Sequence, residues 1–165
     1  IGTDKPRPVK VLERVVAEGF NLKIWGAQVN NGWKNAGLEK YWIGYRTTDE
    51  ELSKICASSK IILGVSEEKK RNCAVCFSAR VYQVCGARGF LLEERSKGIE
   101  EMFSDGTDLV LWDNEDDLAS KIKKYLENQD ERCRIAQLGY RRVREKHTFK
   151  ERMKTLLKTV GLWQK

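Results

Sequence analysis

The stretch Ile61-Ile62-Leu63-Gly64-Val65 constrains this chain most. An almost unbroken apolar run of that length is the pattern of a strand covered on both faces of a parallel sheet. Such a strand needs crossover connections, usually helices, so the segments around it must supply amphipathic helices. On this pattern Ile61 to Val65 is the expected central strand.

The rest of the sequence meets that demand. Val9, Leu12 and Val16 recur at helical spacing up to Gly19, a suitable C-terminal stop. A strand is expected over Asn21 to Trp25 and another over Tyr41 to Ile43, ending at Gly44. Thr48 and Glu51 then form a capping box ahead of Leu52, Ile55 and Cys56. A helical stretch from about Ser78 to Ala87 precedes Phe90-Leu91-Leu92. A short helix around Ile99 to Phe103, a turn at Asp105-Gly106 and a strand over Leu109 to Trp112 follow. Asn114 can cap a helix carrying Leu118, Ile122, Tyr125 and Leu126. Cys133, Ala136, Tyr140 and Val143 mark the next helix, and Met153, Leu156, Leu157 and Val160 the last. Strands alternating with helices in this way imply an α/β chain with a doubly wound, Rossmann-like parallel sheet.

With 165 residues and 41% hydrophobic composition, a single core is expected to bury about two-thirds of the unfolded surface. The two prolines, Pro6 and Pro8, lie near the start and no linker-like stretch interrupts the chain, so one domain over 1–165 is expected. No apolar run is long enough for a membrane span, the first residues lack a signal-peptide pattern, and five cysteines without framework spacing suit a reducing compartment; a cytoplasmic location is the expectation. A formal charge of +7 favours anionic partners. Much of it lies in Arg132, Arg134, Arg141, Arg142, Arg144, Lys146 and Lys150, which read as a solvated helix face.

Three blocks carry a resemblance: Ser59-Lys60-Ile61-Ile62-Leu63; Ser78-Ala79-Arg80-Val81-Tyr82-Gln83-Val84-Cys85-Gly86; and Gly89-Phe90-Leu91-Leu92. The pattern continues through Gly98 to Phe103, Asp105-Gly106, Leu118, Ile122, Tyr125-Leu126, Ala136, Gly139-Tyr140 and His147-Thr148-Phe149. Upstream, Gly2-Thr3, Arg7, Ile24-Trp25-Gly26 and Tyr41-Trp42-Ile43-Gly44 fit it too. In this order the chain resembles spore-maturation-protein-like glycosyltransferases of the two-domain GT-B group. The resemblance implies the donor-binding C-terminal half of such an enzyme, with a nucleoside diphosphate sugar, most commonly a uridine one, at the carboxyl ends of the strands. The acceptor-binding N-terminal half would precede Ile1. Two positions depart from the family pattern: Gln83 stands where many relatives have a Glu thought to hold the donor ribose, and Ala87-Arg88 stands where relatives often have Cys-Gly.

A nucleoside diphosphate calls for cations and oriented N–H groups. Gly2-Thr3, ahead of a helix, either brings backbone N–H groups to phosphate or makes an ordinary turn. Arg80, just inside its helix, can fork onto the diphosphate, against the alternative of a surface arginine. Ser78 adds a hydroxyl, and Gln83, one turn on, keeps hydrogen-bonding capacity without the carboxylate charge. Arg7 joins the donor-binding set by resemblance. So do Gly44, Tyr45 and Arg46, which resemble the segment bordering the base; Tyr45 either stacks there or covers the loop. No complete acid/base pair is visible, so the catalytic residues are not assigned.

Cys73-Ala74-Val75-Cys76 has metal-site spacing but no second pair, and ordinary thiols are the expectation, with no metal and no cofactor. His147, the only histidine, is expected to cap or pack. The absence of G-x-G-x-x-G argues against a dinucleotide-binding reductase. The competing class is a non-catalytic, degenerate donor domain whose basic surface contacts protein or nucleic acid. Nucleic acid is disfavoured because no aromatic RNA-binding or zinc-finger motif is present. The last helix, Met153 to Val160, is expected to pack partly against the missing half. Part of its apolar stripe would then be exposed in this chain, allowing self-association.

Overall fold

The computed structural model describes residues 5–27, 31–44, 48–66 and 78–162. Helix α1, Pro6–Ala17, starts on a proline whose missing N–H would have had no partner in the first turn, and Gly19 turns the chain out of it at φ +80°. The strand expected from Asn21 shortens to β1, Ile24–Trp25. A short helix that the pattern did not reveal, α2 (Gly32–Asn35), buries Trp33. A 3₁₀ turn over Glu39–Tyr41 delays β2 to Trp42–Gly44.

The capping box forms as expected at α3, Asp49–Ser58. Glu51 N–H donates to Thr48 Oγ1 at 3.2 Å and Thr48 N–H to Glu51 Oε2 at 2.7 Å. Then come β3 (Ile62–Gly64), α4 (Arg80–Gly86), β4 (Leu91–Glu94), α5 (Ile99–Met102) and β5 (Val110–Trp112). Asn114 caps α6, Glu115–Glu127, by accepting from the N–H groups of Asp116 and Asp117. Helix α7, Gln129–Arg142, runs through a π-helical turn, Val143–His147, to α8, Phe149–Thr159.

Among the described residues the strands form two parallel groups, β1-β2 and β3-β4-β5. Within the three described strands of the larger group, β4 lies between β3 and β5. The Ile61–Val65 run supplies β3, which pairs with β4, and its Leu63 is half-buried. All four residues of β4 are buried, but the two glutamates at its end conceal this in the sequence.

Strand alternation sorts the core into two layers. Leu91 and Leu111 point towards α3 and α4, joining Leu52, Ile55, Val81 and Val84. Leu92, Val110 and Trp112 point towards α1, α6 and α7, joining Val11, Leu118, Ile122 and Ile135. Each fully buried aliphatic side chain contributes about 1.5–3 kcal/mol, so these layers fix which helix lies on which face. A third cluster of Leu12, Ile24, Trp33 and Leu38 ties β1 and α2 to α1.

The basic C-terminal segment is not uniformly a solvated face. Arg132 is buried and donates to the carbonyls of Tyr125 and Leu126, closing the end of α6. Arg134 reaches Gly106 O at 3.1 Å and Arg142 reaches Met102 O at 3.0 Å, while Arg141, Arg144, Lys146 and Lys150 are exposed. Helix α8 buries none of its residues and leaves Phe149, Met153, Leu156 and Val160 in solvent, so the apolar stripe expected there is exposed. No helix among the described residues is long and apolar enough to cross a membrane.

Candidate functional site at the carboxyl edge of the sheet

The polar chemistry gathers where β3 and β4 end. Glu93 and Glu94, the last residues of β4, are both completely buried. A buried carboxylate persists only if paired and hydrogen-bonded, and adjacent strand residues face opposite sides, so each glutamate needs its own partner on its own face.

On the α4 face the partner is Arg80, first residue of that helix. Its Nη2 donates to Glu93 Oε1 at 2.8 Å and its Nε to Oε2 at 3.3 Å, a two-pronged pairing, while Nη2 also lies 3.3 Å from the Val65 carbonyl. Gly64 makes this arrangement fit: a Cβ there would lie 1.6 Å from Glu93 Oε2. On the α1 face Arg7 donates to Glu94 Oε1, with Nε at 3.1 Å, and its Nη1 lies 3.7 Å from Glu115 Oε1. Glu94 Oε2 accepts from the Ser66 N–H at 2.9 Å. Two arginines from two helix starts thus flank the ends of β3 and β4, one on each face.

Of the residues singled out in the sequence, Arg7, Ser78 and Arg80 come together here. Ser78 Oγ accepts from the Arg80 N–H at 3.3 Å, tightening the start of α4. Arg80 is not a surface arginine: its side chain is 12% exposed. Gln83, one turn on, is exposed, so the two side chains sit in different environments. Gly44 closes β2 in the other strand pair, where its carbonyl accepts from Gly26 N–H at 3.0 Å. Gly2, Thr3, Tyr45 and Arg46, like Cys73 and Cys76, lie outside the described residues.

Glu93 and Glu94 escaped the sequence reading because charge normally marks a solvated position. One signal was available. Two acids directly follow Phe90-Leu91-Leu92 on a strand that helices cover on both faces, so at least one of them had to be enclosed.

The remaining candidates take structural roles. His147 stacks against Phe103 at 5.1 Å and Tyr82 at 5.3 Å between ring centroids, and its Nε2 lies 3.3 Å from the Met102 carbonyl. Burial, with Arg152 and Arg142 nearby, holds its pKa below the ordinary histidine value, and the ring packs against these aromatic neighbours. Burial pushes the Cys85 thiol up to about 12 and Cys56 up to about 11, leaving both unreactive. Among the described residues no group of three or more His, Cys, Asp or Glu side chains could hold a metal ion. Arg88 adopts φ +60°, a left-handed conformation that glycine tolerates best.

A family model described as glycosyl transferase-like matches residues 7–158. The chain belongs to that family. Among solved structures its fold matches that of HepE from Anabaena in complex with UDP, with a TM-score of 0.77, 12% identity, 99% of this chain covered and 48% of HepE. Sucrose-phosphate synthase from Thermosynechococcus elongatus gives a TM-score of 0.72 at 12% identity, covering 98% of this chain and 44% of that one. The C-terminal domain of a group 1 glycosyl transferase, LpcC from Francisella tularensis, gives 0.65 at 16% identity, covering 90% and 84%. The chain therefore has the Rossmann-like fold of GT-B glycosyltransferase domains, and it spans about half the length of HepE. No curated protein matches the sequence.

Proposed function

We propose that this chain is the nucleotide-sugar-binding domain of a glycosyltransferase, taking a nucleoside diphosphate sugar at the carboxyl edge of β3 and β4. The observation that carries this reading is the convergence of Arg7 and Arg80, each from the first turn of a helix, on the ends of adjacent parallel strands. Clefts at strand carboxyl ends are where open α/β sheets bind ligands, and helix starts favour anions. In this reading Arg80 and Arg7 face the diphosphate, Ser78 shapes the turn beside it, Gln83 meets the ribose, and Gly2, Thr3, Gly44, Tyr45 and Arg46 border the nucleotide. A uridine nucleotide is the proposed donor, supported by the HepE structures with UDP and UDP-glucose.

A longer protein would supply the acceptor site and any catalytic base, and its other half would cover the exposed stripe of α8; alone, this chain binds donor, turns over little, and self-associates through that stripe. Calorimetry with a panel of nucleoside diphosphates tests the reading: UDP should bind, and no binding by any of them at millimolar concentration would sink it.

A second reading, a donor domain without activity that acts as a basic binding module, is favoured by Gln83 and by the compensation of both arginine charges by buried carboxylates. Filter binding to generic duplex tests its nucleic-acid form, which demands affinity that falls steeply with salt.

A further inference from the structure

We propose that Glu93 is a positioning residue for the donor site: its buried carboxylate sets the guanidinium of Arg80 at the phosphate-binding edge. This rests on the reading of Arg80 given above and assigns a role to a residue that does not itself touch the donor.

A flexible arginine loses side-chain entropy when it grips a ligand, and prior immobilisation removes that cost from binding. Arg80 is immobilised in this way. Two of its nitrogens are engaged by the two oxygens of one carboxylate, and the carboxylate is rigid because Glu93 is enclosed in the middle strand with no exposed surface. Gly64, paired with Glu93 across β3 and β4, leaves the space that the carboxylate fills. The pairing also consumes charge: Glu93 offsets the positive charge of Arg80. Its contribution is therefore geometry rather than field strength. Across the sheet Glu94 stands in the same relation to Arg7, so the end of β4 carries a carboxylate for each of the two cations.

The test is a double-mutant cycle on the protein with Arg80→Gln, Glu93→Gln and the double variant, which replaces the ion pair by two amides. UDP and uridine affinities are measured calorimetrically, with folding checked by circular dichroism. Glu93→Gln should weaken UDP about tenfold while leaving uridine unchanged, and should cost nothing further once Arg80 is Gln. Glu93→Asp, which keeps the charge but shortens the reach, should fall between and serves if the amide variant does not fold.

Three results overturn the proposal: unchanged UDP affinity in Glu93→Gln, tighter UDP binding from release of the guanidinium charge, or parallel losses of UDP and uridine, the mark of a merely structural residue. The reading beneath fails separately, if Arg80→Gln leaves UDP affinity untouched.

Discussion

Helices α4 and α8 invert what local sequence signals would suggest. Helix α8 has eleven residues, a Thr148 side chain that accepts from the Glu151 N–H, and a clear apolar stripe, yet none of its residues is buried. Helix α4 has seven residues and no side-chain cap of its own N-cap residue, yet Val81, Val84 and Cys85 are almost wholly enclosed. Packing decides which helix is held. A seven-residue helix is far too short to persist alone, so α4 exists because β4, α3 and α7 enclose it, and that rigidity is what a site at its first residue requires.

The strongest way to break this contrast is at the start of α4. Arg80→Ala leaves Glu93 as an unpaired carboxylate in the centre of the sheet, and breaking a buried pair in that manner costs about 3–5 kcal/mol. Urea denaturation should show that loss. A cost within about 0.5 kcal/mol, the range of an ordinary surface substitution, would mean that the pair does not hold α4 to the sheet. Because the proposed donor site uses the arginine that also holds the fold, nucleotide affinity must be read from variants that keep a polar partner for Glu93.

Next in size is Val84→Ala in the buried layer. Two methyl groups are removed from a fully enclosed position, so the expected loss is about 2 kcal/mol by transfer and cavity terms together. The same denaturation series on Met153→Ala in α8 should move the midpoint little.

The two helices meet at His147, whose ring packs on Tyr82 of α4 just before α8 begins. Burial depresses its pKa in the folded state, so the unfolded chain binds the proton more readily. Stability from this group is present above the ordinary histidine pKa and is lost as pH falls through that value towards the folded one. A modest fall in Tm between about pH 7.5 and 5.5 should result, and His147→Phe should flatten it. The fall is modest because the ring is only half-buried. A wild-type Tm that rises over the same range would contradict the sign.

The contrast also explains what could be read from the sequence. Thr48 with Glu51, and Asn114, announced their helices because caps are satisfied locally. The apolar run at Ile62 and Leu63 announced a strand, but its partners depend on long-range pairing, which sets β4 between β3 and β5 among the described strands. Within the candidate site, the resemblance singled out Arg7 and Arg80, which the structure pairs with Glu94 and Glu93. Those partners were not legible, since Glu93 and Glu94 are enclosed only after α1 and α4 fold onto opposite faces of the sheet. Arg132 shows the same limit: a basic residue in a basic segment reads as solvated until the end of α6 claims it.

The smallest expected effect on stability belongs to Leu156→Lys, and it sharpens the contrast most. Leu156 sits midway along the stripe of α8 with about half its surface in water, 54%, so placing a charge there removes little packing from this chain. The unfolding free energy should change by no more than about 0.5 kcal/mol. Its effect should appear instead between molecules. Phe149, Met153, Leu156 and Val160 form one apolar face, and a lysine at its centre must be desolvated in any self-associated species, which weakens association without touching the fold. Sedimentation velocity on the parent chain should show concentration-dependent association that Leu156→Lys abolishes. If the parent is strictly monomeric, the stripe does not mediate self-association. If the variant instead unfolds, α8 is packed on its own domain, and the difference between the two helices drawn above is wrong.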